Sequence, residues 1–334
     1  LAESSSEDLP AMPAAAPKGK RLFLLAAKMG VVLLLLWGVE HSLFTAWEEL
    51  SKHKFALSPQ WLLISSGFYL LGLLPAAWFW YWLLRSLGQP VTRFATFRAH
   101  VIGHLGKYVP GKAMVLVIRL GLLPTAQRSI GAAGLAVFYE TITLMAEGAC
   151  LGAILLVGWL GVRGFVAAVC VAMAVGGVLC TFPPLLRHLG GVVQWLKPGW
   201  SLGGELRKIR WRHVAVGWIA NLAVWIFFGL SFWATLRAMA PEAVTLADYP
   251  FYLASVALAV VAGFASLIPG GAIVREAVLL ELLEPRLGPA VALAGAVVLR
   301  CVWLLSELGV SVILYVLGLK WLPADPHWQP EAAD

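Results

Sequence analysis

Hydrophobic residues run in long unbroken blocks along this chain, with polar residues falling between the blocks rather than alternating within them. The blocks cover about 22–46, 59–86, 130–160, 165–183, 214–240 and 288–320. Each is close to or beyond the ~20 residues that a helix needs to cross a hydrocarbon core. Continuous blocks predict helices, which bond every backbone group within their own segment. The alternation expected of a membrane β-barrel is missing. The pattern therefore predicts an all-α polytopic membrane protein with about six full spans.

Two further stretches are apolar but broken. Residues 94–124 hold His100, His104, Lys107, Tyr108, Lys112 and Arg119 around Pro110-Gly111. Residues 250–284 hold Pro269-Gly270-Gly271 followed by Arg275-Glu276. Proline removes a backbone donor and clashes with the preceding turn, and glycine is conformationally loose, so a helix stops at such a pair. The limbs left on either side of the first break are too short to cross the membrane. Each stretch reads as a re-entrant hairpin.

The polar segments set the topology. Residues 1–20 are rich in Ser, Pro and Ala and read as a disordered cytoplasmic tail. Lys18, Lys20 and Arg21 precede the first block and put the N-terminus inside. That block is long, and no small-residue cleavage site clearly follows it, so it reads as an uncleaved span rather than a signal peptide. Residues 184–213 interleave Arg187, His188, Lys197, Arg207, Lys208, Arg210, Arg212 and His213 with Leu, Val and Trp. This basic, amphipathic linker suits anionic headgroups, and simple topogenic charge is the alternative. A polar tail covers 321–334, and 21–320 form one transmembrane domain.

Composition sharpens this picture. The chain of 334 residues is 60% hydrophobic and 13% charged, against about 45–50% and 25% in soluble domains. Its net charge of +7 sits largely beside spans, so no nucleic-acid partner is expected. Cys150, Cys170, Cys180 and Cys301 fall in apolar blocks without ligand spacing and read as small core residues. Most of the sixteen Trp read as interfacial anchors. No nucleotide-binding fingerprint is present, and neither a cofactor nor a metal is expected.

An internal repeat organises the blocks. Both 59–86 and 214–240 lead through a Leu-Arg pair to a Val-Thr pair (Leu84-Arg85 to Val91-Thr92, Leu236-Arg237 to Val244-Thr245). A Pro-Gly-broken stretch and a long span follow each. The unit span–hairpin–span thus recurs at about 59–160 and 214–320. If both breaks are hairpins entering from opposite sides, the units are inverted and both termini are cytoplasmic. A competing count makes 250–268 a full span and puts the C-terminus outside.

Glu140, Glu147, Arg300 and Glu307 lie inside the long spans, where a charge costs several kcal/mol unless it is paired or wet. Two readings stand: a buried ion pair such as Arg300–Glu140 that fixes packing, or a gate between the repeats. His104, Lys107, Tyr108, Lys112 and Arg119, with Arg275 and Glu276, form a candidate anion site. Snorkelling to headgroups is the plainer alternative for the basic residues.

The motifs Gly106-Lys107-Tyr108-Val109-Pro110-Gly111-Lys112 with Arg119, and Leu267-Ile268-Pro269-Gly270-Gly271-Ala272-Ile273-Val274-Arg275-Glu276, resemble those of the lysylphosphatidylglycerol synthase transmembrane (flippase-like) family. The resemblance spans roughly 22–320, with Ala272 where the family commonly has Gly. It implies lipid translocation or headgroup handling in a bacterial or archaeal cell membrane. The chain runs only about 14 residues past its last span, so it reads as a stand-alone member without the soluble aminoacyl-transfer domain. The leading expectation is a flippase for an anionic phospholipid or polyprenyl-phosphate lipid, not an enzyme. The alternatives are a membrane-embedded headgroup transferase, with His104 or Glu140 as base, and a scaffold for a lipid-modifying enzyme. A homo-oligomer is a further possibility.

Overall fold

The computed structural model of this protein describes residues 57–321, apart from 110–112, 124–128, 160, 162, 197–201, 267, 269, 270 and 272. The expected span at 22–46, the tail 1–20, nearly all of the tail 321–334, and Pro110, Gly111, Lys112, Pro269 and Gly270 lie outside the described residues.

Every regular element among those residues is helical. Helix α1 (Pro59–Ser86) starts with proline in its first turn, where the missing N–H costs nothing. Helix α2 (Arg93–His104) is capped by Thr92, whose hydroxyl accepts from the Ala95 amide at 3.3 Å. It tightens into a 3₁₀ turn at Leu105–Tyr108, and α3 (Ala113–Leu122) follows the break. Helix α4 (Ile130–Gly152), capped by Ser129, runs on as a π-helix through Trp159. Next come α5 (Phe165–Thr181), α6 (Pro183–Leu196), the short α7 (Leu202–Leu206) and α8 (Trp211–Arg237). Helix α9 (Tyr249–Ala265) and α10 (Val274–Trp321) complete the chain, α10 being interrupted at Gly288 by φ 77° and ψ 159°. Gly288 thus separates two helices, 274–287 and 289–321, as expected near 284–288, and the chain folds back there, since Arg300 meets Glu276 24 residues earlier.

Among the described residues four helices are long and apolar enough to cross a membrane: α1, α4 with its π extension, α8 and α10. Counting the α5–α6 pair, bent by 65°, as one span makes five. The protein is a polytopic, integral membrane protein. At 1.5 Å per residue α2 and α3 are about 18 and 15 Å long, and α9 about 25 Å, all short of a ~30 Å core.

The packing is reciprocal between the two expected units. Their leading spans, α1 and α8, form the most extensive helix pair. The closing span of each unit packs on the hairpin of the other: α4 on α9, and α10 on α2. The α1–α8–α10 seam is tied by hydroxyls. Ser65 Oγ donates to the Ser231 carbonyl at 2.8 Å and lies 2.8 Å from Thr235 Oγ1. Trp303 Nε1 donates to Ser231 Oγ at 3.0 Å. Between helices in lipid such bonds and close small-residue contacts supply the association that hydrophobicity cannot.

One expectation has exceptions and one needs correction. Trp80, Trp225 and Trp303 are buried core residues, exceptions to the reading of most tryptophans as interfacial anchors, because their flat rings fill gaps where several helices converge. Cys180 is exposed, not part of the core, although all four cysteines are free as expected.

Small residues set the α4–α5 distance. A Cβ placed on Gly177 would lie 2.7 Å from Ala146 Cα, whereas one on Gly176 meets nothing within 4 Å. Gly177→Leu should therefore destabilise by about 1–3 kcal/mol through overpacking. Gly176→Leu should stay near wild type. Thermal unfolding of the two variants in the same detergent checks this, and equal melting would refute the α4–α5 packing.

Candidate functional site

The polar residues of the two broken stretches and of the long helices beside them gather at three nodes. The first joins α3 to α4. Arg119 Nη1 donates to Glu140 Oε2 at 2.6 Å, and His100 Nε2 lies 3.2 Å from Glu140 Oε1. All three side chains are buried, and the Arg119 guanidinium lies 5.0 Å from the Trp80 ring centroid. Gly103 makes room for this arginine: a Cβ there would sit 2.3 Å from Arg119 Cγ.

The second node joins the first hairpin to the other unit. Lys107 Nζ and Tyr69 Oη both donate to Glu307 Oε1, and His104 Nδ1 is 3.8 Å from the same oxygen. Glu307 is fully buried on α10. Tyr69 stacks on Trp303 with centroids 4.6 Å apart, which fixes the phenol that shares the carboxylate. The third node joins α10 to itself across its kink, Arg300 Nη1 donating to Glu276 Oε1 at 3.0 Å.

Arg275 stands apart. Its stem passes over two glycines: a Cβ on Gly263 would lie 2.4 Å from Arg275 Cγ, and one on Gly271 2.8 Å from Cδ. Gly271 itself has φ 65°, a conformation open to glycine. The Arg275 guanidinium lies 5.1 Å from the Trp303 ring centroid and has no ion-pair partner among the described residues. Ile273, two residues before Arg275, is strained, since this β-branched residue holds φ 69°.

These groups surround a cavity of about 450 Å³ between the two broken stretches. His104, Lys107, Arg119 and Glu140 line it from one unit, with Gly263, Gly271 and Arg275 from the other. Its remaining wall is apolar, from Leu116, Val137, Phe138, Leu144 and Met145. Phe138 lines the cavity and is also 53% exposed on the outer face of α4. Lys107, Arg119 and Arg275 against Glu140 and Glu307 leave one net positive charge with the histidines neutral.

The structure thus brings together His104, Lys107, Arg119, Glu140, Glu307, Arg275 and Gly271. It places Tyr108 buried beneath the Lys107 ammonium, which is 5.1 Å from its ring centroid. Glu276 and Arg300 pair with each other outside the cavity lining. Glu147 is buried on α4, also outside the lining, and its Oε2 has no partner among the described residues. The pair Arg300–Glu140 does not form. Each residue instead takes a partner from the hairpin limb preceding its own span, because that limb is the nearer source of opposite charge. Sequence reasoning singled out neither Tyr69 nor Trp303 for the site. The available signal was a polar-tipped aromatic in the middle of each apolar block, where an interfacial anchor has no place.

Removing one partner of a buried pair strands the other. Arg119→Met should cost about 3–5 kcal/mol, and Arg119→Met with Glu140→Leu should regain most of it. Unfolding in lipid nanodiscs measures the cycle, and additive losses would show that the pair does not couple.

A comparison of the sequence with curated proteins finds no match. The profile of the lysylphosphatidylglycerol synthase TM region matches residues 24–309, which takes in every residue that lines the cavity. Over that length the chain belongs to the family of lysylphosphatidylglycerol synthase transmembrane regions.

Proposed function

We propose that this protein translocates an anionic-headgroup lipid, of phospholipid or polyprenyl-phosphate type, between the leaflets of the membrane. One observation carries the reading. Arg275 lines an apolar-walled cavity between the two hairpins without a carboxylate partner among the described residues. A lipid offers the complement of that cavity: one anionic phosphate for Arg275 and an aliphatic chain for the wall of Leu116, Val137, Phe138, Leu144 and Met145. Phe138, exposed on the outer face of α4, marks the side from which a chain enters.

The same geometry suggests how movement follows binding. Lys107 ties the first hairpin to Glu307 of the second unit. A phosphate that draws Lys107 away weakens this tie between units, and the units then rock to open the cavity on the other side. Arg119–Glu140 and Arg300–Glu276 lie within single units and stay closed during the movement. In this reading six spans and two opposed hairpins make an inverted repeat with both termini cytoplasmic, and no chemical step takes place.

The test is leaflet exchange of headgroup-labelled phosphatidylglycerol in proteoliposomes. Arg275→Ala should slow exchange by about tenfold or more, given the roughly 1.5–3 kcal/mol worth of a charged hydrogen bond. Arg275→Lys, which keeps the charge, should recover part of the rate. Wild-type exchange by Arg275→Ala would remove the site assignment. Recovery of a chemically altered lipid would favour a headgroup transferase instead.

A further inference from the structure

The surface formed by α6 and α7 carries a second, independent feature. After the apolar α5 the chain bends by 65° into α6, so α6 leaves the direction of the span. Leu186 and Gly190 face the protein, while Leu189, Val192, Trp195 and Leu196 are exposed. A helix with one packed edge and one exposed apolar edge, turned by this bend away from the apolar α5, suits the lipid interface.

Beside that apolar edge is an open hollow of about 300 Å³ lined by Arg187, His188, Gly191, Val192, Trp195 and Arg207. Among the described residues no carboxylate lines it. Arg187 is oriented by its own bonds, Nε and Nη2 donating to the Ile209 carbonyl at 3.4 and 3.3 Å. Arg207 reaches over Gly191, where its Nη2 would lie 3.7 Å from an added Cβ. Among the described residues Arg207 makes neither an ion pair nor a hydrogen bond. The nearest acid in sequence, Glu205, is engaged by Lys208 at 2.9 Å. Trp195, 81% exposed, stands at the rim.

We propose that this hollow is a headgroup site for an anionic phospholipid of the adjacent leaflet. The two guanidinium groups and the imidazole would hold its phosphodiester, and the indole would lie at the glycerol level. Guanidinium forks match phosphate oxygens, and interfacial tryptophan supplies an amphipathic neighbour. The exposed Leu189, Val192 and Leu196 give the lipid's chains an apolar surface that a soluble anion has no use for. The site is separate from the hairpin cavity and does not depend on the transport reading. Its role is to hold α6 and α7 against the leaflet.

The experiment counts phosphatidylglycerol retained by the purified full chain in phosphatidylcholine nanodiscs doped with phosphatidylglycerol, by native mass spectrometry. Near an anionic surface each basic residue contributes about fivefold, so Arg187→Gln with Arg207→Gln should weaken retention by about 25-fold. Arg93→Gln with Arg212→Gln, a charge-matched pair of exposed residues outside the hollow, should weaken it by less than about fivefold. Arg275→Ala should leave this lipid in place, which separates failure here from failure of the cavity reading. Equal losses in the two double variants would mean diffuse surface attraction and overturn the site. So would unchanged retention in Arg187→Gln/Arg207→Gln, or displacement of the lipid by soluble glycerol phosphate as efficiently as by added phosphatidylglycerol. The thermal transition of each variant shows that the fold is intact when the count is read.

Discussion

Moving an ionised side chain out of water costs several kcal/mol even after the protein relaxes, and this cost shapes how the broken stretches are held. Arg119 and Glu276 both lie on limbs that follow a break, and each meets an opposite charge on a long span, Glu140 and Arg300. The sign is reversed between the units, but the arrangement is the same. A limb of ten residues such as α3 is apolar but short, so apolar contact alone does little to fix its register. The buried ion pair fixes its position as well as its depth. Gly103 and Gly263, 160 residues apart in the sequence, serve the same scheme, since each leaves space for an arginine stem returning from the second limb.

A different kind of tie links the units. The Lys107–Glu307 contact spans from the first hairpin to the closing span of the second unit, and Tyr69 from the leading span of the first unit joins the same oxygen. Lys107 lines the cavity and is partly enclosed, and Arg119 and Glu140 line the same cavity. Arg275, held flat by two glycines and Trp303, adds the charge that the internal pairs leave over.

The membrane faces follow a separate logic. Small residues and hydroxyls bring α1, α8 and α10 together where hydrophobicity alone cannot discriminate between lipid and protein. Buried tryptophans fill the convergence points, and exposed apolar side chains such as Leu63, Ile219 and Val312 face lipid. The bend after α5 takes the basic linker out of the span direction, so its arginines sit beside an apolar edge rather than within the bundle.

The sequence by itself determined the helical class, the long apolar helices at 59–86, 130–160 and 214–240, and the interruptions near 110 and 270, because apolar block length and Pro-Gly pairs act locally. It also suggested a repeat, with an offset that sets Glu140 against Arg300 and Glu147 against Glu307. The partners were not readable. Glu140 and Arg300 looked like a natural pair, yet each found a nearer charge on its own preceding limb. Nor did spacing separate Glu140, which lines the cavity, from Glu147 two turns along the same helix, which does not. Helices of equal apolarity are interchangeable along one dimension. Which of them meet is decided by close contacts such as Gly177 on Ala146. Only the folded arrangement of such contacts brings Tyr69, Trp303 and Arg275, from three separate parts of the chain, around one cavity.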